Sequence, residues 1–325
     1  MESRPLLSFL FIIGSDARIL RRCISALNSQ TFNDAEIIVS DHSFIGYTDA
    51  LQRKLNPPAV PVTIVPGDAR ISLWQQLKDT VARARGKYVI FVNPAQWLEP
   101  DTAERLVDCM ERYNADVAEI RSVKCIKGVA VKNENPVPEE IPADRLVENG
   151  ELHTYSRFIG DDSYISSSIY DNIYRRDLLT EVFSIDYKGH KSVEEMVNVH
   201  YLRTARNMVF LSYGGLNFNW ETAPGEYSYS SLDDAKLAYT HKMLSGQDEE
   251  SCRSELAGRL SRHVRMLMLD SGWTPEATLF FVRREMEDPF WAHAGITVTA
   301  EELVDSVDRR EKWLDFSRIL SRILH

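Results

Sequence analysis

Four short and almost unbroken apolar runs, each followed by small or polar residues, most constrain what this chain can fold into. They are residues 7–13 (Leu-Ser-Phe-Leu-Phe-Ile-Ile), 36–39, 62–65 and 87–92 (Lys-Tyr-Val-Ile-Phe-Val). Runs of this length read as strands covered on both faces. The stretches between them read as helices. Residues 16–29 carry Ile19, Leu20, Cys23, Ala26 and Leu27 at helical spacing, residues 47–55 form a short helix, and residues 71–85 form a longer one that Gly86 is expected to stop. A helix over 101–113 and a strand over 116–120 extend the series. Strands alternating with helices imply right-handed crossovers and a mostly parallel sheet with helices on both faces, an α/β fold.

Ligands of such sheets sit beyond the carboxyl ends of the strands. Four short segments therefore deserve inspection: Gly14-Ser15-Asp16, Asp41-His42-Ser43, Pro66-Gly67-Asp68, and Asn93-Pro94-Ala95-Gln96. Further along, residues 127–151 turn rich in Pro, Glu, Asn and Lys and read as a surface excursion. A helix over 193–205 and a strand over 208–212 follow. After Trp220 the pattern is helical, with Thr274-Pro275 as a helix start and Thr299-Ala300-Glu301-Glu302 as a capping box. The expected division is a domain over 1–220 and a C-terminal helical extension over 221–325.

A net charge of −10 provides no general field for phosphate backbones, and no local basic patch reads as a nucleic-acid footprint, so nucleic acid is excluded as a partner. Cys23, Cys109, Cys125 and Cys252 lack CxxC spacing and read as reduced thiols. The histidines form no ligand set, so no structural metal is expected. The apolar run near the N-terminus is too short for a membrane span and lacks signal-peptide features, which points to a cytoplasmic protein.

The ordered blocks resemble the family 2 glycosyltransferases, which have the GT-A fold. Residues 8–13 with Ser25-Ala26-Leu27-Asn28-Ser29-Gln30-Thr31-Phe32 are similar to that family's opening strand and "SLLNQTY"-like helix end. Glu36-Ile37-Ile38-Val39-Ser40-Asp41 resembles "EIIVVDDGS", and residues 84–91 with Trp97-Leu98-Glu99-Pro100-Asp101 resemble the flanks of the metal motif. Asn172-Ile173-Tyr174-Arg175-Arg176-Asp177-Leu178-Leu179 looks like "NKLYRRELL", and Glu194-Glu195-Met196-Val197-Asn198 like the acceptor-side "EDxxFN". The resemblance spans roughly residues 6–220. It implies transfer of a sugar from a nucleotide-diphosphate donor to a glycan or lipid-linked acceptor with inversion, as in polysaccharide biosynthesis.

Departures from the family fall on the chemistry. Where it carries Asp-x-Asp, this chain has Asn93-Pro94-Ala95-Gln96, so Mg or Mn loses its usual ligands; amides are weak, uncharged donors for a hard cation. The second acid after the second strand is His42. The phosphate-holding "SAARN" segment falls at residues 74–78, with Leu77 in place of Arg and Lys78 beside it. Arg70, Lys78, Lys188 and His190 are the cations available to replace a metal.

By resemblance, Asp41 holds the nucleoside, although a cap is the alternative, and Gly14 and Ser15 line the same pocket or form a plain turn. Glu194 matches the general base, with Glu195 as the adjacent candidate; the alternative is an acid stabilised in a helix's first turn. Trp97 floors an acceptor sugar or packs in the core. The last helix, with Trp313, Phe316, Leu320, Ile323 and Leu324 flanked by arginines, either rests on the inner face of a membrane, packs on neighbouring helices, or forms a homodimer contact. A non-catalytic protein of the same fold, binding sugar, nucleotide or a partner transferase, is the competing reading.

Overall fold

The computed structural model describes residues 4–13, 25–42, 60–93, 96–126, 129–130, 144–148, 168–188, 193–219, 232–244, 246–269 and 273–307. The chain divides into two compact units, Met1–Gly225 and Glu226–His325. The first contains twelve described strands. In chain order they are β1 (Leu7–Ile13), β2 (Ala35–Asp41), β3 (Val62–Pro66), β4 (Tyr88–Phe91), β5 (Gln96–Leu98), β6 (Val117–Glu119), β7 (Ser122–Ile126), β8 (Val129–Ala130), β9 (Leu146–Glu148), β10 (Asn172–Arg175), β11 (Asn207–Phe210) and β12 (Leu216–Asn219).

Eight of them form one sheet in the order β3-β2-β1-β4-β10-β6-β11-β9, and β5-β12-β7-β8 form a second. The four runs seen in the sequence are the parallel half of the large sheet, and β10 enters antiparallel between β4 and β6. β1, β2 and β4 are buried almost throughout, as unbroken apolar runs require. One face packs Phe9, Phe11, Ile37, Val39 and Ile90 against Ala103, Leu106, Val107 and Met110 of the helix α2 (Thr102–Tyr113), which follows α1 (Leu73–Val81) in the chain.

Two polar residues inside these strands are satisfied by each other. Ser8 Oγ donates to Glu36 Oε1 at 2.7 Å, and Glu36 also accepts from the Arg85 backbone N–H (2.7 Å) and from Arg85 Nε (2.9 Å). Gly86 N–H donates to Ser8 Oγ at 2.9 Å, which closes the network. Here the sequence expectation needs correction: α1 begins at Leu73 behind the Ser72 cap and ends at Val81, well before Gly86. Gly86 is present because a Cβ there would lie 2.6 Å from the Ser8 backbone nitrogen. It permits close approach rather than ending a helix.

The excursion over 127–151 also differs from expectation. Its described residues supply β8 and β9, and Val147 is fully buried where β9 closes the sheet against β11. Residues 14–24 and 43–59, which carry most of two expected helices, lie outside the described residues. Helices α3 (Arg176–Val182) and α4 (Val193–Thr204) complete the first unit.

The second unit is helical: α5 (Leu232–Leu244), α6 (Glu249–Leu269), α7 (Pro275–Met286), α8 (Pro289–His293) and a helix entered at residue 300. Both expected caps form. Thr274 Oγ1 accepts from Ala277 N–H at 3.2 Å, and Thr299 and Glu302 cap each other reciprocally. The core gathers Leu256, Leu260, Val264, Val282, Leu303 and Val304 around Trp291. Lys242, 2% exposed, is admitted because Glu255 neutralises it at 2.5 Å. Cys109 and Cys252 are buried and outside any disulfide, and burial pushes the Cys109 thiol up to about 11. Among the described residues no helix is long and apolar enough to cross a membrane. The amphipathic stretch at 313–324 lies outside the described residues.

Candidate active site

Because β1, β2 and β4 run parallel, their carboxyl ends share one edge of the sheet. Ile13 pairs with Asp41 and Leu10 with Phe91, and Val92 N–H continues the ladder to the Leu10 carbonyl at 2.9 Å. Asp41 and Asn93 therefore flank the end of β1. Paired residues of neighbouring strands share a face, and faces alternate along a strand. Asp41 falls in step with Ile37 and Val39, on the side packed by α2. His42 falls in step with Ile38 and Ser40, on the side of Phe91 and Asn93.

His42 is 3% exposed and held from three directions. Its N–H donates to the Ile13 carbonyl at 2.9 Å, Nε2 meets Ser40 Oγ at 2.8 Å, and Nδ1 lies 3.1 Å from the Asp68 backbone nitrogen and 3.0 Å from the Asp68 carbonyl oxygen. The ring is pinned to the loop after β3 in either tautomer. Gly67 makes this possible, since its N–H donates to the Asp41 carbonyl at 2.7 Å and a Cβ would sit 2.5 Å from the imidazole. We expect Gly67→Ala to expel the ring and cost about 1–3 kcal/mol in a denaturant melt. A change below about 0.5 kcal/mol would show that His42 does not anchor the loop.

The same loop presents Arg70 in a two-pronged pair with Asp68, Nε to Oδ1 at 2.9 Å and Nη2 to Oδ2 at 2.8 Å. The Arg70 hydrogen bonds hold the Asp68 carboxyl down at about 2. A depressed carboxyl contributes above its ordinary pKa and loses that contribution as pH falls through the folded value, so this pair stays intact to strongly acid pH. With the Arg70 side chain 83% exposed, its worth lies in orientation rather than stability.

Leu77 is 1% exposed and Trp74 is buried beside it; the Trp74 Nε1–H donates to the Ile185 carbonyl at 3.0 Å, and the indole meets the Phe183, Tyr187 and His200 rings. The position where a phosphate-holding Arg is expected is thus a core position. Lys78, one residue on, is exposed. Lys188 is also exposed and pairs with Asp186 at 2.8 Å.

α4 is buried nearly all round, including Glu195, Asn198 and His200. Two side chains fix it to β10. Asn198 accepts a hydrogen bond from the Tyr174 hydroxyl and donates to the Ser168 carbonyl at 3.0 Å, while the Tyr201 hydroxyl donates to the Asp116 carbonyl at 2.6 Å and accepts from Arg175 N–H at 3.0 Å. Tyr174 stacks edge-on to Phe91, which places this helix on the His42 and Asn93 side of the sheet. Its first turn carries Glu194, half-buried, and Glu195, 4% exposed. Both acids are favoured there by the helix dipole.

Asn93 and Gln96 form a turn, with Gln96 N–H donating to the Asn93 carbonyl at 2.9 Å; Pro94 and Ala95 lie outside the described residues, as do Gly14, Ser15 and His190. Gln96 opens β5, a strand the sequence did not reveal, and Trp97 pairs there with Asn217 of β12. Leu98 enters the core, so strand alternation turns the half-buried Trp97 the other way. Among the described residues no group of three His, Cys, Asp or Glu side chains is placed to hold a metal ion. The donors at the motif position, Asn93 and Gln96, do not fit a divalent cation that the fold's relatives would lead one to expect.

Residues 15–174 match the family model described as glycosyl transferase family 2. The first unit carries a glycosyl transferase family 2 domain. Solved structures place the domain in the GT-A fold. S. aureus TarS 1-349 in complex with UDP-GlcNAc is similar at a TM-score of 0.59 and 16% identity, over 93% of this chain and 83% of that one. The same protein with UDP gives 0.61 and 14%, over 94% and 91%. The mannosyltransferase PcManGT from Pyrobaculum calidifontis, in complex with GDP-Man and Mn2+, gives 0.53 and 12%, over 96% and 88%. These are likenesses of fold. No curated protein matches the chain. The sequence marked His42 only as a replaced acid, whereas the structure buries it at the end of β2 and hydrogen-bonds it to the loop after β3. Counting two by two from Ile38 along β2 puts it on the face of Asn93.

Proposed function

We propose that this chain transfers a sugar from a nucleotide-diphosphate donor to a glycan or lipid-linked acceptor, with inversion and without a tightly held divalent cation. The observation that carries the reading is the family 2 match together with a sheet edge that gathers His42, Asn93 and the face bearing the α4 first turn. The similar structures complexed with UDP-GlcNAc and GDP-Man support a nucleotide-sugar donor.

In this reading His42 frames the nucleoside end, together with Gly14 and Ser15. The Asp41 side chain lies on the α2 face, away from Asn93, and Asp41 contributes through its backbone carbonyl, which accepts from Gly67 N–H at 2.7 Å. Glu194 takes the proton of the acceptor hydroxyl as its oxygen attacks the anomeric carbon, and the nucleotide diphosphate leaves from the opposite side with the bonding pair. A metal would normally offset that leaving charge, an effect of several kcal/mol, and at about 1.4 kcal/mol per tenfold its loss costs roughly a thousandfold. Lys78 supplies replacement charge, since the charges of Arg70 and Lys188 are offset by Asp68 and Asp186. Trp97 takes the acceptor sugar against its ring.

A second reading, a non-catalytic binder of nucleotide, sugar or a partner transferase, is favoured by the burial of Leu77 and by the amides at Asn93 and Gln96. Incubation with UDP- and GDP-sugars in EDTA, with chromatography of the released nucleotide, separates the two. Release of the diphosphate supports transfer. Nucleotide binding without any release in EDTA or manganese would leave only the second reading.

A further inference from the structure

The opposite edge of the large sheet carries a second feature. Where β1 and β4 begin and β10 ends, a cleft of about 400 Å³ is lined by five cations, Arg4, Arg85, Lys87, Arg175 and Arg176, beside only two carboxylates, Asp34 and Asp177. This is unexpected in a chain of net charge −10. β1 is seven residues long, so at roughly 3.3 Å per residue the cleft lies about 20 Å from Asp41 and His42.

The cations are held in place from behind. Arg85 Nε reaches Glu36 at 2.9 Å, Lys87 Nζ reaches Glu111 at 2.7 Å, and Arg175 pairs with Asp116 at 3.3 Å while its Nη2 donates to Asn114 Oδ1 at 2.9 Å. Those three carboxylates lie outside the lining and balance part of the charge, so the cleft selects by donor geometry more than by net field. Arg176 Nε donates to the neutral Gly86 carbonyl at 2.7 Å, and Arg4 is exposed at the rim. Four arginines and a lysine lining one cleft offer N–H donors of the kind that phosphate oxygens accept from. The volume falls in the range of small-molecule sites and exceeds what a bare ion needs.

We propose that this cleft binds a phosphate group carried on a larger molecule, either a soluble organic phosphate or an anionic lipid headgroup. Calorimetry of the full chain with inorganic pyrophosphate tests the soluble source, and the two arginine variants below tell binding at this cleft from binding at the nucleotide edge. Cosedimentation with phosphatidylcholine vesicles, with and without phosphatidylglycerol, tests the lipid source. We expect one of the two to bind, with Arg4→Glu weakening it at least fivefold and Arg176→Gln at least tenfold, and weaker binding at higher salt. Should Arg176→Gln fail to fold, Arg4→Glu decides alone, because Arg4 is exposed. Binding that neither variant changes, or no binding to either probe, overturns the proposal.

Discussion

Glu194→Gln is expected to slow sugar transfer by about a hundred- to ten-thousandfold, with little change in KM, because the carboxylate that accepts the hydroxyl proton is replaced by an amide of the same shape. α4 is anchored through Asn198 and Tyr201, not through Glu194, so the thermal midpoint should stay close to wild type. Glu195→Gln is the control. If it alone abolishes turnover while Glu194→Gln is active, the base is the buried neighbour and the assignment to Glu194 fails.

The second large effect concerns stability. Trp291 is 1% exposed at the centre of the helical unit, its Nε1–H donates to Glu285 at 3.3 Å, and Lys236 Nζ lies 5.1 Å from its ring centroid while pairing with Asp288 at 2.7 Å. Trp291→Ala removes the largest side chain of that core and the cation's aromatic partner together. We expect a loss of about 3–5 kcal/mol, read as a lower urea midpoint by circular dichroism. UDP binding below that transition should persist, since Asp41, His42 and Asn93 all belong to the first unit. A loss under about 1 kcal/mol would mean the site collapses to fill the gap.

How much of this was legible in the sequence depends on what each residue had to satisfy. β1, β2 and β4 were readable because strands covered on both faces can carry little but apolar residues, and the caps at Thr274 and Thr299 because their chemistry is local. β5 and β9 were not: three residues each, they exist only through pairing with β12 and β11 from distant chain. Gly86 was misread because a glycine needed for close approach to Ser8 looks, in sequence, like one that ends a helix. α4 was legible as a helix over 193–205, but its burial was not, since Glu195, Asn198 and His200 break its apolar pattern although all three are buried. Within the site, Asp41 drew notice as a familiar acid, whereas His42 emerged only once the register set the faces.

On the proposed reading, this sheet edge holds a nucleoside diphosphate without help from a metal. Titrating UDP into the full chain by calorimetry, once in EDTA and once in manganese, tests it most directly. Saturable binding is expected under both conditions, with dissociation constants within about threefold of each other, a difference below about 0.7 kcal/mol. Binding that appears only with manganese, or none under either condition, would contradict it.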